Sequence, residues 1–356
     1  MLKTIPQYLS AIIDTYGLTK TLGVIDICRG ANDELEYYVG NNSVIFHIRH
    51  EGRDKMLKCY TRAKRNLRRI YKEKCLHEEL YIHSDSMYGE WVDVILDDWI
   101  EGKNLHRAIL DNRNNPEAMQ ALAETFDEMA LQLLREEWAH GDLKPENIIV
   151  TPDGQMRLID FDAVFLPEFA GEQSEECGTA AFQHPTRTSE YFDKSIDDYP
   201  IALISTALHA LATDYSLAER YDIEDMLLFA PKEIVASRSK AYSEVLGLFV
   251  AKGMALQYRI AQMLSWHTPQ LPPLRELLGY ANYNKRPHDL DSYAELIPTQ
   301  KDLYWGYCRD GEFVIPPIYD LCFEFSNDKA VVCIGGDMHN INRQGVIVPD
   351  SQTKKR

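Results

Sequence analysis

The chain has 356 residues, 45% of them apolar and 26% charged, with a formal net charge of −17. That length allows two domains, or one bilobal body with an appendage. The acid excess excludes a nucleic-acid-binding surface, which needs clustered Lys and Arg to neutralise phosphates.

Its one basic stretch, Arg62 to Lys74, is offset locally by Glu73, Glu78 and Glu79. Seven scattered cysteines without a CxxC pair indicate neither a zinc site nor a disulfide framework, and reduced cytosolic thiols are the simplest reading. The apolar patch Tyr8 to Ile13 is cut by Asp14 and Thr15, too soon for a signal-peptide core. No apolar run approaches the roughly 20 residues of a membrane span. The chain reads as a soluble cytoplasmic protein with neither a nucleic-acid nor a membrane partner.

Residues 1–34 hold one amphipathic helix, Ile5 to Tyr16, with Gly17 at the C′ position. Residues 35–101 are strand-rich. Leu35–Val39, Val44–His50 and Lys55–Tyr60 are β-prone runs separated by turns at Gly40-Asn41-Asn42 and Glu51-Gly52-Arg53-Asp54. A basic helix over Arg62 to Lys74 follows, then strands at Glu79–His83 and Trp91–Leu96. Residues 102–285 are mainly helical. Asn115-Pro116 is an N-cap with proline at the first helical position. The stripe Met119, Leu122, Phe126, Met129, Leu133 repeats at helical spacing, and Ile201–Leu211 is apolar all round, as in a buried helix. From 286 to 356 the alternating apolar residues with Pro, Tyr and Gly suit a small β module. Strands followed by helices, without regular alternation, argue for an α+β body.

The informative stretch is His140-Gly141-Asp142-Leu143-Lys144-Pro145-Glu146-Asn147, with Leu158-Ile159-Asp160-Phe161-Asp162 behind it. Phosphoryl transfer needs a carboxylate near the attacking hydroxyl and oxygen ligands for the cations that bridge the phosphates. Asp142, Asn147 and Asp160 supply those groups. This segment resembles the catalytic loop and metal-binding triplet of the protein-kinase superfamily. The resemblance covers roughly residues 35–275 and implies a bilobal fold: an N-lobe antiparallel sheet plus one helix, and a helical C-lobe. It implies that Asp142 orients or deprotonates the acceptor hydroxyl, that Lys144 contacts the transferring phosphate, and that Asn147 and Asp160 hold Mg²⁺. Lys58, 18 residues after Gly40, would hold the α- and β-phosphates of ATP, paired with a glutamate from the next helix; Glu73 is the choice over Glu78 and Glu79, which crowd the following strand. Gly40 to Ser43 stands where a glycine-rich phosphate loop belongs, with a single glycine. Asp98, Trp99 and Ile100 fall at the adenine-contacting hinge.

Further along, Cys177-Gly178-Thr179 to Pro185 resembles the end of an activation segment, and Asp197 the residue that braces the catalytic loop. Gly141 stands where many kinases carry an arginine that answers to activation-loop phosphorylation, so such control is not expected. The reading is an ATP- and Mg²⁺-dependent Ser/Thr protein-kinase-like enzyme acting on a hydroxyl of a protein or small molecule. The alternatives are a small-molecule kinase of the antibiotic phosphotransferase type, which His-Gly-Asp with Ile-Asp-Phe-Asp resembles, and a non-catalytic pseudokinase module. Finally, Trp305-Gly306-Tyr307 through Tyr319-Asp320 resembles the WG repeat. Ile341 and Gly345 begin a degenerate second copy 34 residues on, with Asn340 in the place of the glycine. The repeat is too small to form a core alone, so it docks on the body as a cap or binds a protein partner.

Overall fold

A computed structural model of the chain describes residues 3–83, 88–280, 295–326 and 328–349. The boundary expected at 285/286 lies outside them, as does the end of the tail. The protein is a mixed α+β structure whose strand pairs, among the described residues, are all antiparallel. It divides into two compact units, Met1–Glu101 and Gly102–Arg356.

The first unit opens with α1 (Ile5–Ile13), capped by a reciprocal Thr4–Gln7 box. The helix stops at Asp14, three residues short of the expected end. Gly17 (φ +73°) instead lies within a turn closed by the Leu18 N–H donating to the Thr15 carbonyl. Six strands form one sheet: β1 (Asp26–Ile27), β2 (Tyr37–Val39), β3 (Ser43–His50), β4 (Arg53–Tyr60), β5 (Cys75–Ile82) and β6 (Glu90–Asp98). Their order is β1-β3-β4-β6-β5, with β2 also on β3. Glu51 and Gly52 both have positive φ, the hairpin geometry that matches strand twist. Alternation along β3 and β4 sends Val44, Phe46, Ile48, Leu57 and Cys59 into a core shared with Tyr8, Ala11 and Ile12 of α1.

The expected long basic helix is not there. Only α2 (Leu67–Tyr71) and a 3₁₀ turn over Lys72–Lys74 form. Asn66 and Lys72 are both left-handed (φ +58° and +49°), which stops propagation at each end, and the cations of the stretch repel one another at helical spacing. Strand β5 begins four residues earlier than expected.

In the second unit β7 (Lys103–Asn104), β8 (Ile148–Val150) and β9 (Met156–Leu158) make a small sheet. Around it pack α3 (Leu105–Asp111), α4 (Pro116–Leu133), α5 (Asp198–Thr213), α6 (Leu217–Arg220), α7 (Pro231–Val235), α8 (Lys240–Ala251), α9 (Ala255–Met263) and α10 (Leu274–Tyr280). Asn115 caps α4 as expected, its side chain accepting from the Ala118 N–H at 3.1 Å. Every residue of α5 from Asp198 to Leu211 is buried. Inside this core Asp127 of α4 accepts from Ser205 Oγ at 2.6 Å and from His209 Nε2 at 2.8 Å, so two helices share one buried polar network, in which His209 Nδ1 has no partner.

The C-terminal strands form two three-stranded sheets: β10 (Ile297–Lys301), β11 (Tyr304–Arg309), β12 (Glu312–Tyr319), and β13 (Leu321–Cys322), β14 (Lys329–Ile334), β15 (Asp337–Asn342). Asp310 and Gly311 (φ +52° and +85°) make the hairpin turn expected of them. Gly306 is where the strands leave no room: an added Cβ would lie 2.4 Å from the Ile315 carbonyl oxygen, at a register shift between β11 and β12. In the degenerate copy the Gly345 N–H closes a turn on the Asn342 carbonyl.

These sheets dock on the helices of their own unit. Tyr307, Ile315, Val332 and Ile341 join the helical core. Arg259 of α9, 3% exposed, donates through Nε to the Ile318 carbonyl at 2.9 Å and through Nη2 to Asp320 at 2.8 Å, while its guanidinium lies 4.1 Å from the Tyr304 ring. Arg259→Ala takes a donor from the Ile318 carbonyl, Asp320 Oδ1 and Gln262 Oε1 and bares an aromatic face, and should cost about 3 kcal/mol in denaturant unfolding.

At the start of α5, burial pushes the Asp198 carboxyl up to about 7, although its Oδ2 accepts the Leu271 N–H at 2.8 Å. An unfolded carboxyl releases its proton near about pH 4. The stability contributed by this group is therefore fully present below that pH and is lost as pH rises through 7. Asp198→Asn keeps an acceptor without the charge, so its melting temperature should exceed wild type at pH 8 and converge with it near pH 5.

Candidate functional site

The loop from His140 to Asn147 hangs from one buried carboxylate. Asp197, 1% exposed, accepts the backbone N–H of His140 on Oδ2 and that of Gly141 on Oδ1, the latter at 2.9 Å. Burial raises the Asp197 carboxyl, and the two amides and the nearby Arg187 work against that rise. This is the bracing role expected for Asp197. Gly141 (φ +83°) is obligatory: a Cβ would sit 2.0 Å from the Ala163 carbonyl oxygen. No side chain, an arginine included, fits at this position.

His140 is a spacer with both nitrogens committed. Nε2 donates to the Ile159 carbonyl at 2.8 Å, so the proton sits there, and Nδ1 accepts the Asp142 N–H at 3.3 Å. The Ile159 N–H in turn donates to the Asn147 carbonyl at 3.0 Å. Both backbone groups of the residue before Asp160 are therefore tied to the loop. Asp160 follows in the left-handed region (φ +64°) and leads into a 3₁₀ turn over Phe161–Ala163, with the Phe161 ring 5.2 Å from that of His140. Such a backbone at a carboxylate is a sparsely populated conformation that the surroundings impose.

Asp142 gathers the polar contacts of the loop. Its Oδ1 accepts the Thr179 N–H at 2.6 Å, and its Oδ2 lies 3.3 Å from both Lys144 Nζ and Asn147 Nδ2. Burial would raise its pKa, but Lys144 and the Thr179 bonds outweigh burial and hold it below the ordinary carboxylate value. Lys144 Nζ also donates to Thr179 Oγ1 at 2.9 Å. Asn147, 6% exposed, gives Nδ2 to the Asp142 carbonyl at 2.8 Å, which leaves Oδ1 as the ligand atom it offers. Asn147 Oδ1 and the Asp160 carboxylate are each a hard oxygen, the type of donor that Mg²⁺ prefers.

Two neighbours complete the site. Gly178 (φ +72°) packs so closely that a Cβ would lie 2.6 Å from the Gly141 carbonyl oxygen. Arg187 Nη1 donates to that same carbonyl at 3.0 Å and to Gln183 at 2.6 Å, while its Nε and Nη2 are buried without a partner. Sequence reasoning missed Arg187; its only signal was its place two residues beyond the Cys177–Pro185 motif.

The residues expected to hold nucleotide lie in the first unit. Lys58, 2% exposed, stands on β4 opposite Ile45 of β3 and Ile95 of β6, with its ammonium 5.2 Å over the Tyr60 ring. Glu73 is exposed on the 3₁₀ turn, and α2 itself contains no glutamate, contrary to the helix-borne partner expected. The rejected candidates have other work: Glu78 pairs with Lys20 at 2.9 Å, and buried Glu79 accepts from Thr21 and Leu22. Gly40 and Ser43 make a tight turn, the Gly40 N–H donating to the Ser43 carbonyl at 2.9 Å. Asp98 ends β6 and pairs with Lys55 at 2.5 Å, and Asp97 pairs with Lys74 at 2.8 Å. The two hinge acids are thus neutralised from the sheet. Trp99 stacks on His47 at 4.0 Å, and Ile100 is half-buried beside it in sequence.

Residues 305–336 match the family model described as WG containing repeat. The strands β12 to β14, β11 from its second residue, and the obligatory Gly306 lie within that match. No curated protein matches the chain. No helix among the described residues is long and apolar enough to cross a membrane.

Gly141→Ala must move the Ala163 carbonyl and adopt a strained φ. It should cost on the order of 3 kcal/mol in equilibrium unfolding, whereas Gly154→Ala, with positive φ but open space around it, should cost less.

Proposed function

We propose that the protein is an ATP- and Mg²⁺-dependent phosphotransferase of the protein-kinase-like type, moving the γ-phosphate to a hydroxyl. The observation that carries this reading is the anchored loop: a buried Asp197 fixes two amides, and the loop then sets Asp142 beside Lys144 and Asn147. A carboxylate kept ionised by an adjacent ammonium is suited to accept or align a hydroxyl proton. Lys144 is suited to contact a transferring phosphoryl group, as a compact charge on a flexible stem. Mg²⁺ held by Asn147 and Asp160 would neutralise phosphate charge. In the first unit, buried Lys58 is the residue that would hold the remaining phosphates. We read the two units as the lobes of a bilobal kinase-like fold.

The Lys144–Thr179 bond favours a Ser/Thr protein substrate, because it joins the two segments that resemble Ser/Thr protein kinases. A small-molecule hydroxyl remains an outcome of the test. With labelled ATP and Mg²⁺, wild type should transfer label to itself or to an added protein. Asp142→Ala should reduce transfer by about 10³-fold or more while ATP still raises the melting temperature. Label that appears only in small hydroxyl compounds would reassign the substrate. No Asp142-dependent label on any acceptor would leave a nucleotide-binding module without turnover.

A further inference from the structure

Three metal-binding side chains meet in the first unit, although no sequence spacing links them. Cys28 Sγ, a ring nitrogen of His47 and a carboxylate oxygen of Asp54 all lie within 4.8 Å of one another. Asp54 Oδ1 is 3.9 Å from Cys28 Sγ and 3.8 Å from His47 Nε2. Zinc bonds of about 2.0–2.3 Å in a tetrahedron set ligand atoms roughly 3.3–3.7 Å apart. The two Asp54 distances need to shorten by a few tenths of an ångström, and the Cys28–His47 distance by at most about 1.5 Å, to bring the three onto one ion.

The backbone holds these groups in place before any ion arrives. The Cys28 N–H donates to the His47 carbonyl at 2.8 Å, the His47 N–H to the Glu36 carbonyl at 3.0 Å, and the Glu36 N–H to the Cys28 carbonyl at 2.9 Å. The closed ring of bonds fixes Cys28 beside the β3–β4 hairpin that carries the other two. His47 is oriented in a second way. Its Nδ1 lies 2.8 Å from Glu36 Oε2, and a carboxylate only accepts, so Nδ1 carries the proton. Nε2 is then the coordinating atom; it is buried and has no hydrogen-bond partner. Stacking of the imidazole on Trp99, 8° from parallel, locks the ring plane. A carboxylate behind a histidine, with the second nitrogen turned to further ligands, is the arrangement that orients metal-binding imidazoles.

We propose that Cys28, His47 and Asp54 form a site for a thiophilic divalent transition metal, Zn²⁺ fitting best, with Glu36 positioning His47 and water as the fourth ligand. The mixed sulfur, nitrogen and oxygen set disfavours Mg²⁺ and Ca²⁺. Arg49 now pairs with Asp54 Oδ1 at 2.9 Å, and as its side chain is 60% exposed it can swing away. A bound ion would pin the segment around Cys28 to the hairpin. The three ligands are not among the phosphotransfer residues, although Trp99 of the expected hinge stacks on His47, and the test does not involve ATP.

The full chain, reduced and metal-free, would be titrated with Co²⁺ and then with competing Zn²⁺. Wild type should bind one Co²⁺ with a thiolate-to-cobalt charge-transfer band and tetrahedral visible absorption. Cys28→Ser should lose the band, while Cys177→Ser keeps it. Asp54→Asn should weaken binding at least tenfold, and Glu36→Gln by about 10- to 100-fold through loss of orientation. Zn²⁺ should displace the Co²⁺ and raise the melting temperature of wild type but not of Cys28→Ser. Circular dichroism of the metal-free variants checks their folding, and Asp54→Asn supplies the answer if Cys28→Ser does not fold. Absence of the band in wild type, or its survival in Cys28→Ser, overturns the proposal.

Discussion

A single carboxylate in a dry interior organises the second unit. Asp197 has left water, which disfavours its charge by several kcal/mol unless bonds replace the lost hydration. Two adjacent backbone amides do so, with Arg187 close by. Those same bonds dictate where the loop begins, and a glycine must stand there because the Ala163 carbonyl occupies the space a side chain would need. From that anchor, His140 reaches across to Ile159 and ties the segment ahead of Asp160 to the loop. Position is thus transmitted from a buried acid to the Asp142 carboxylate through hydrogen bonds of fixed direction, the kind of preorganisation that the proposed phosphotransfer would need.

The C-terminal sheets follow a different rule. Hairpins this small bury too little apolar surface to stand alone. They complete themselves by sharing Tyr307, Ile315, Val332 and Ile341 with the helices, and Arg259 stitches the junction through a carbonyl, a carboxylate and an aromatic face. This favours the reading of the module as part of the body. Its outer surface is free of that duty.

In the first unit the polar residues are arranged in pairs that cancel. Lys55 answers Asp98 and Lys74 answers Asp97. Exposed pairs of this kind add little stability, yet they offset the two acids at the end of β6. Glu79 is the exception, buried and bonded to the segment after α1, so that the N-terminal residues and β5 are one structure.

Local chemistry was what the sequence could determine. The cap at Asn115, the turn at Asp310-Gly311, the buried stripe of α5, and the grouping of Asp142, Lys144 and Asn147 are short-range consequences of residue type and spacing. The repeat around Trp305-Gly306 was legible for the same reason. What lay beyond reach depended on partners distant in the chain. The basic stretch after Tyr60 looked helical, but the left-handed Asn66 and Lys72 confine the helix to five residues. Nothing local announces that Arg187 would turn to the Gly141 carbonyl. The meeting of Cys28, His47 and Asp54 is the extreme case: only strand pairing and a ring of backbone bonds bring them together, so tertiary structure alone decided it.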